Sequence, residues 1–129
     1  MKKLLFIVFV ILLSTACNNA PVDTSSLAGV WVEATHKVDT LVFTNQPLGL
    51  ILNRGYEVRY GYYLPKAHSG PYTYEIKNDS INLLWTGSDY NKGTEYYFKS
   101  DLNNKLLKIG NFYDDSQGNN AVLTFTKIR

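Results

Sequence analysis

The stretch Pro71-Tyr72-Thr73-Tyr74-Glu75-Ile76-Lys77-Asn78-Asp79-Ser80-Ile81-Asn82-Leu83-Leu84-Trp85 decides how the chain is to be read. Tyr72, Tyr74 and Ile76 occupy every second position, with Thr73, Glu75 and Lys77 between them. Ile81, Leu83 and Trp85 repeat the pattern beyond Asn78-Asp79. Successive side chains of a strand point to opposite faces, so a period of two marks a strand with one apolar face. Two such runs joined by Asn-Asp predict a β-hairpin.

The same period extends both ways. Upstream, Leu27 to Ala34 reads as a first strand, and Asp39 to Thr44 sets Leu41 and Phe43 against Thr40, Val42 and Thr44. Leu48 to Leu52 lies between Pro47 and an Asn53-Arg54-Gly55 turn. Gly55 to Leu64 alternates Tyr56, Val58, Tyr60 and Tyr62 against Glu57, Arg59 and Gly61, and reads as one strand. Downstream, Thr94 to Ser100 is an aromatic-rich strand, and Lys105 to Tyr113 with Ala121 to Ile128 form a last hairpin around residues 114–120. No segment in this region spaces its apolar residues at helical intervals, and β-branched and aromatic residues dominate. About eight strands in roughly 100 residues, each joined to the next by a short connection, predict an all-β fold. Closing such a sheet into a small antiparallel up-and-down β-barrel removes its exposed edges. Its expected core is Trp31, Leu41, Phe43, Ile76, Ile81, Leu83, Phe98, Ile109, Leu123 and Phe125.

The first residues differ in kind. Lys2 and Lys3 precede an unbroken apolar run from Leu4 to Leu13, and Ser14-Thr15-Ala16 leads to Cys17. Charged, apolar, then small is the order of a secretory signal. The run is shorter than the roughly 20 residues a permanent membrane helix needs. Cys17 is the sole cysteine of the chain, whereas exported proteins usually carry cysteines in disulfide pairs. Leu13-Ser14-Thr15-Ala16-Cys17 resembles the lipobox of bacterial lipoproteins, with Ser14 three before the cysteine where that family usually has an apolar residue. The resemblance implies that residues 1–16 are a cleaved signal peptide and that Cys17 carries fatty acyl chains such as palmitate, which anchor the protein to a membrane. An ordinary signal peptide cut nearby would leave a free thiol. Residues 17–26 are the expected lipidated cysteine and flexible tether, and residues 27–129 the barrel domain. A flexible segment from Asn18 to Ser26 spans only about 15–18 Å by random-coil scaling.

The whole chain has 13 Lys and Arg against 11 Asp and Glu. Loss of Lys2 and Lys3 with the signal makes the remainder formally neutral. The basic balance belongs to the leader and is no argument for nucleic-acid binding.

Leu27-Ala28-Gly29-Val30-Trp31 is similar to the Gly-x-Trp opening strand of lipocalins and their small bacterial relatives. The hairpin quoted above resembles the middle hairpin of lipocalin-like lipoproteins common in Bacteroidetes. Leu107-Lys108-Ile109, Asn111-Phe112-Tyr113 and Leu123-Thr124-Phe125-Thr126-Lys127 fit the last hairpin of that group. The resemblance covers most of residues 27–129 and implies a lipocalin-like barrel more strongly than a function. The chain is shorter than the larger lipocalins and lacks their disulfide. An eight-stranded barrel of this size can be filled by its own side chains.

Residues with chemistry are scattered. His36 and His68 lie in different loops without a metal-ligand spacing, and no nucleophile elbow, phosphate-binding glycine loop or zinc-protease motif occurs. Glu57, Glu75 and Glu95 face away from the aromatic residues of their strands. No enzyme, cofactor or metal site is expected. The tyrosines carry more information: all ten lie between Tyr56 and Tyr113, and a phenol ring suits both a core and a binding surface. Tyr60, Tyr62, Tyr72, Tyr74 and Trp85 are the candidate ligand-binding residues. Two functions follow for a lipid-anchored envelope protein. One is to hold a small apolar or aromatic ligand in the barrel. The other is to act as a protein-interaction module, an assembly factor or inhibitor, through loops and exposed tyrosines. By the same lipoprotein resemblance, Asn18 and Asn19, in place of an aspartate or an acidic cluster, imply an outer-membrane location facing the periplasm.

Cys17→Ser is expected to abolish membrane fractionation of the processed chain and leave soluble protein or uncleaved precursor. A processed mutant that still sediments with membranes would overturn the lipid anchor.

Overall fold

A computed structural model describes residues 24–45, 48–89, 91–118 and 120–129. The expected signal peptide, Cys17 and the expected tether up to residue 23 lie outside the described residues. Ten strands follow: β1 (Gly29–Glu33), β2 (Thr40–Asn45), β3 (Leu48–Asn53), β4 (Tyr56–Arg59), β5 (Tyr62–Pro65), β6 (Gly70–Lys77), β7 (Ser80–Trp85), β8 (Thr94–Asp101), β9 (Leu106–Gly110) and β10 (Val122–Lys127). Eight of them close into an antiparallel barrel in the order β1-β10-β9-β8-β7-β6-β3-β2. β4 and β5 stand apart as a two-stranded hairpin between β3 and β6.

The barrel strands keep the expected faces. Tyr72 pairs with Trp85, Tyr74 with Leu83 and Ile76 with Ile81, around the predicted Asn78-Asp79 turn. Of the ten expected core residues, nine are buried, and Ile76 is partly buried against them. Large side chains occupy the interior ring against ring. Phe43 meets Trp31 edge-on at 6.5 Å and Tyr74 edge-on at 5.4 Å, a geometry that aligns the positive ring edge with the negative ring face.

One end is sealed where the described chain begins. Thr24–Leu27 form a 3-10 turn, so Thr24 to Ser26, expected in the tether, join the folded domain. Leu27 is fully buried, and Trp31 Nε1 donates to its carbonyl at 2.8 Å. Lys127 Nζ donates to the Ser26 carbonyl at 2.9 Å and lies 5.5 Å from the Trp31 ring centre. The glycine of Gly-x-Trp has a steric cause. Gly29 has φ +132°, and a Cβ there would stand 2.0 Å from the Arg129 carbonyl oxygen. The neighbouring Val30 N–H donates to that oxygen at 2.8 Å.

Two further sequence expectations need correction. Gly55 to Leu64 is not one strand: it folds back at Tyr60-Gly61. Both residues have positive φ (53° and 79°), as the type I′ turns of tight hairpins require. The fold-back also reverses a face, because Tyr62 pairs with Arg59 and so lies beside Glu57 and Arg59 instead of opposite them. Second, β9 stops at Gly110 short of Tyr113. The Asn111 side chain there takes over the backbone, accepting from the Tyr113 and Asp114 amides at 3.3 and 2.8 Å and donating to the Asp114 and Gly118 carbonyls.

Phe125 is fully buried on β10. Phe125→Ala is expected to lower unfolding free energy by about 3–5 kcal/mol, out of a typical total of about 5–15 kcal/mol. Val122→Ala, on the exposed part of the same strand, should stay within about 0.5 kcal/mol. Urea unfolding measures both, and a Phe125→Ala loss below about 1 kcal/mol would reverse the assigned faces.

Candidate functional site

Strand directions collect four connections at the end opposite Leu27: residues 34–39, 54–69, 86–93 and 111–121. This mouth is where the aromatic and polar side chains converge. Phe112 and Tyr113, carried by the β9–β10 connection, turn inward and are buried. Phe112 packs edge-on against Tyr72 at 5.5 Å, at 5.9 Å from Tyr96, and edge-on against Tyr113 at 4.8 Å. The two rings cap the barrel core.

Arg54 holds the cap in place. Its guanidinium lies 4.8 Å from the Tyr113 ring centre. Nη1 donates to the Tyr113 carbonyl at 2.9 Å and to the Ala67 carbonyl at 3.1 Å. Nε faces Asp39 Oδ2 at 3.8 Å. One cation thus ties together the β1–β2 connection, the base of the β4–β5 hairpin and the β9–β10 connection. The Tyr113 hydroxyl is buried near the Asp39 carboxylate. Burial, with the Asp39 carboxylate nearby, raises its pKa far above the ordinary phenol value. Close by, burial disfavours ionisation of Glu33, but the hydrogen bonds its carboxylate receives from the His36 and Thr35 amides outweigh that and lower its pKa.

The hairpin projects from this clasp. Register places Tyr56, Val58, Tyr63 and Pro65 on one face and Glu57, Arg59, Tyr62 and Leu64 on the other. The first face carries no charge, and Tyr56 and Tyr63 stack on it at 5.1 Å with planes 11° apart. The second carries the Arg59–Glu57 ion pair at 2.9 Å. Val58 and Tyr63 are 71% and 72% exposed, and Tyr60 at the tip is 94% exposed.

A cleft of about 410 Å³ opens beside the cap, lined by Tyr72, Trp85, Ser88, Lys92, Tyr96 and Phe112 among others. β8 pairs with β7 only up to Leu83, opposite Thr94, while β7 runs on to Trp85. The wall therefore parts at the mouth and opens the cleft.

The five candidate binding residues are divided by the fold. Tyr72 and Trp85 face each other across β6 and β7 and both line the cleft. Tyr74 lies deeper against Phe43, its hydroxyl buried without a partner. Tyr60 and Tyr62 are on the hairpin. His68 is at the cleft, whereas His36 is beside Glu33 at 3.6 Å. Among the described residues no group of three or more His, Cys, Asp or Glu is placed to hold a metal ion. Sequence reasoning missed Arg54, Lys92, Tyr96, Phe112 and Tyr113 as mouth residues. Four of them lie at or beyond strand ends, where the two-residue period gives no direction.

Arg54→Ala removes two charge-assisted hydrogen bonds and a ring contact. It is expected to cost about 2 kcal/mol and to speed amide hydrogen exchange in residues 54–69 and 111–121 while sparing β7 and β10. Uniform acceleration across the barrel would show that Arg54 supports the fold globally and does not act as a local clasp.

Comparison of the chain with protein-family models, with curated proteins and with solved structures finds no match.

Proposed function

We propose that this chain is a lipid-anchored envelope protein that binds another protein through the β4–β5 hairpin, without catalysis. The observation that carries the reading is the hairpin: an uncharged aromatic face and a tyrosine tip held in solvent by a barrel that does not need them for its core. Exposed apolar surface of this kind on a folded domain marks an interaction site. Tyrosine supplies large contact area with few rotamers to freeze on binding.

Two further features support it. The interior positions that a barrel ligand would need are taken by Trp31, Phe43, Tyr74, Phe98 and Phe125. The chain also joins the barrel at the Leu27 end, opposite the hairpin. With Cys17 lipidated, a short tether would hold that end near the membrane and present the hairpin away from it. A periplasm-facing outer-membrane location, carried over from the lipoprotein resemblance, would point the hairpin into the periplasm.

The test is site-specific photo-crosslinking in cells, with a photoreactive residue in place of Tyr60 and, as control, in place of Lys99 on the barrel wall. A discrete protein adduct from position 60 alone is expected. Tyr63→Ser in the same background should weaken it by about thirtyfold, the effect of a central interface residue contributing about 2 kcal/mol, with the melting temperature unchanged. No adduct from position 60, or the same adduct from position 99, would overturn the reading.

A further inference from the structure

The cleft at the mouth is separate from the hairpin face and has a different chemistry. By register, Tyr72, Leu83, Trp85, Thr94 and Tyr96 share the inward side of β6, β7 and β8. Phe112 closes the side toward the cap. The floor is therefore aromatic and apolar. Trp85 is 45% exposed and yet held: a Cβ at Gly87 would stand 3.0 Å from its Cζ2, so the indole lies directly on the Gly87 backbone. A side chain at position 87 would crowd the indole by a few tenths of an ångström.

The polar lining is one-sided in charge. Lys92 contributes an ammonium group, His68 an imidazole, and Ser88 and Thr94 hydroxyls; among the described residues no carboxylate lines the cleft. The Tyr72 hydroxyl donates to the His68 carbonyl at 2.7 Å. Burial, with Tyr96 next to it, pushes the Tyr72 pKa up to about 12, an effect that Arg54 partly offsets. Tyr72 therefore adds no negative charge at neutral pH. A space of about 410 Å³ falls within the range of small-molecule sites, roughly 300–1,000 Å³.

We propose that this cleft binds a small flat aromatic carboxylate, with its ring against Trp85 and Phe112 and its carboxylate toward Lys92. The ring gains apolar burial and stacking. The carboxylate gains a charge-assisted hydrogen bond from Lys92. This site is independent of the protein-binding reading, because no hairpin residue lines it.

The experiment uses the full chain in detergent and two photoreactive probes of equal shape, a trifluoromethyl-diazirinyl benzoate and its neutral benzamide. Labelled positions are mapped by peptide mass spectrometry. Detergent dissolves both probes, so position of labelling and charge preference are the readouts. The expected result is saturable labelling by the benzoate within residues 83–96 and at Phe112, competed by unlabelled 2-naphthoate, with weaker labelling by the benzamide. Lys92 is exposed, so Lys92→Ala should fold normally; it is expected to reduce benzoate labelling about tenfold and leave the benzamide unchanged. Equal labelling by acid and amide, insensitivity to Lys92→Ala, or labelling centred outside the cleft would each overturn the proposal. Because neither probe touches the Tyr60 crosslink, its failure is distinguishable from failure of the protein-binding reading.

Discussion

The pairing of the first barrel strand with the last sets the conditions for everything else in the molecule. β1 and β10 join Trp31 with Lys127, Val32 with Thr126 and Glu33 with Phe125. The Ile128 amide donates to the Val30 carbonyl at 2.8 Å, and the Val30 amide donates to Arg129. Without this seam the remaining seven pairings would form an open sheet with two free edges, each a template for another chain. The seam also needs Gly29, since any larger residue would drive a side-chain carbon into the Arg129 carbonyl. Closure in turn fixes where the Thr24–Leu27 turn docks, because Trp31 and Lys127 both bond to it. The sealed end and the mouth are therefore consequences of one backbone contact.

Closure also explains why the β4–β5 hairpin stands outside. β3 pairs directly with β6, Leu50 with Tyr72 and Leu52 with Gly70, so no gap remains in the wall for residues 54–69. A two-stranded hairpin alone is marginal in water. This one is held at its base, where the Lys66 amide donates to the Gly55 carbonyl at 3.0 Å and Arg54 bonds to Ala67. Stacking of Tyr56 on Tyr63 and the Arg59–Glu57 pair add order further out. Arg54 bonds to both the hairpin base and the cap over the core. Movement of one is thereby linked to movement of the other through a single guanidinium.

Exposure divides the tyrosines of the barrel from those of the hairpin. In the barrel Tyr72, Tyr74, Tyr96 and Tyr113 pack against Phe43 or Phe112, and their rings serve as core. On the hairpin, Tyr56 and Tyr63 stack on each other, and Tyr56, Tyr60, Tyr62 and Tyr63 are all exposed. The same residue type thus has two roles, and what separates them is whether a second layer of structure lies over the ring.

The two-residue period was enough to show that the described chain is all-β, to place the Asn78-Asp79 turn and to name about half of the buried core, because strand alternation is a local property of the backbone. The expected signal peptide and lipidated Cys17 rest on the order of residues alone and lie outside the described residues. The period could not show that Gly55 to Leu64 breaks at Tyr60-Gly61. Alternation continues unbroken through that turn, and the reversal rests on two backbone dihedrals. Nor could it show which end of the barrel each connection occupies, which decides that Arg54, Tyr113 and Asp39 meet across distant stretches of chain. Whether a given tyrosine is core, cleft or exposed face depends on what packs over it, and that is set by closure of the barrel. Local alternation determined the barrel strands and their faces; only the tertiary structure decided the hairpin and the mouth, because the mouth's residues are neighbours through the seam and the clasp and not along the chain.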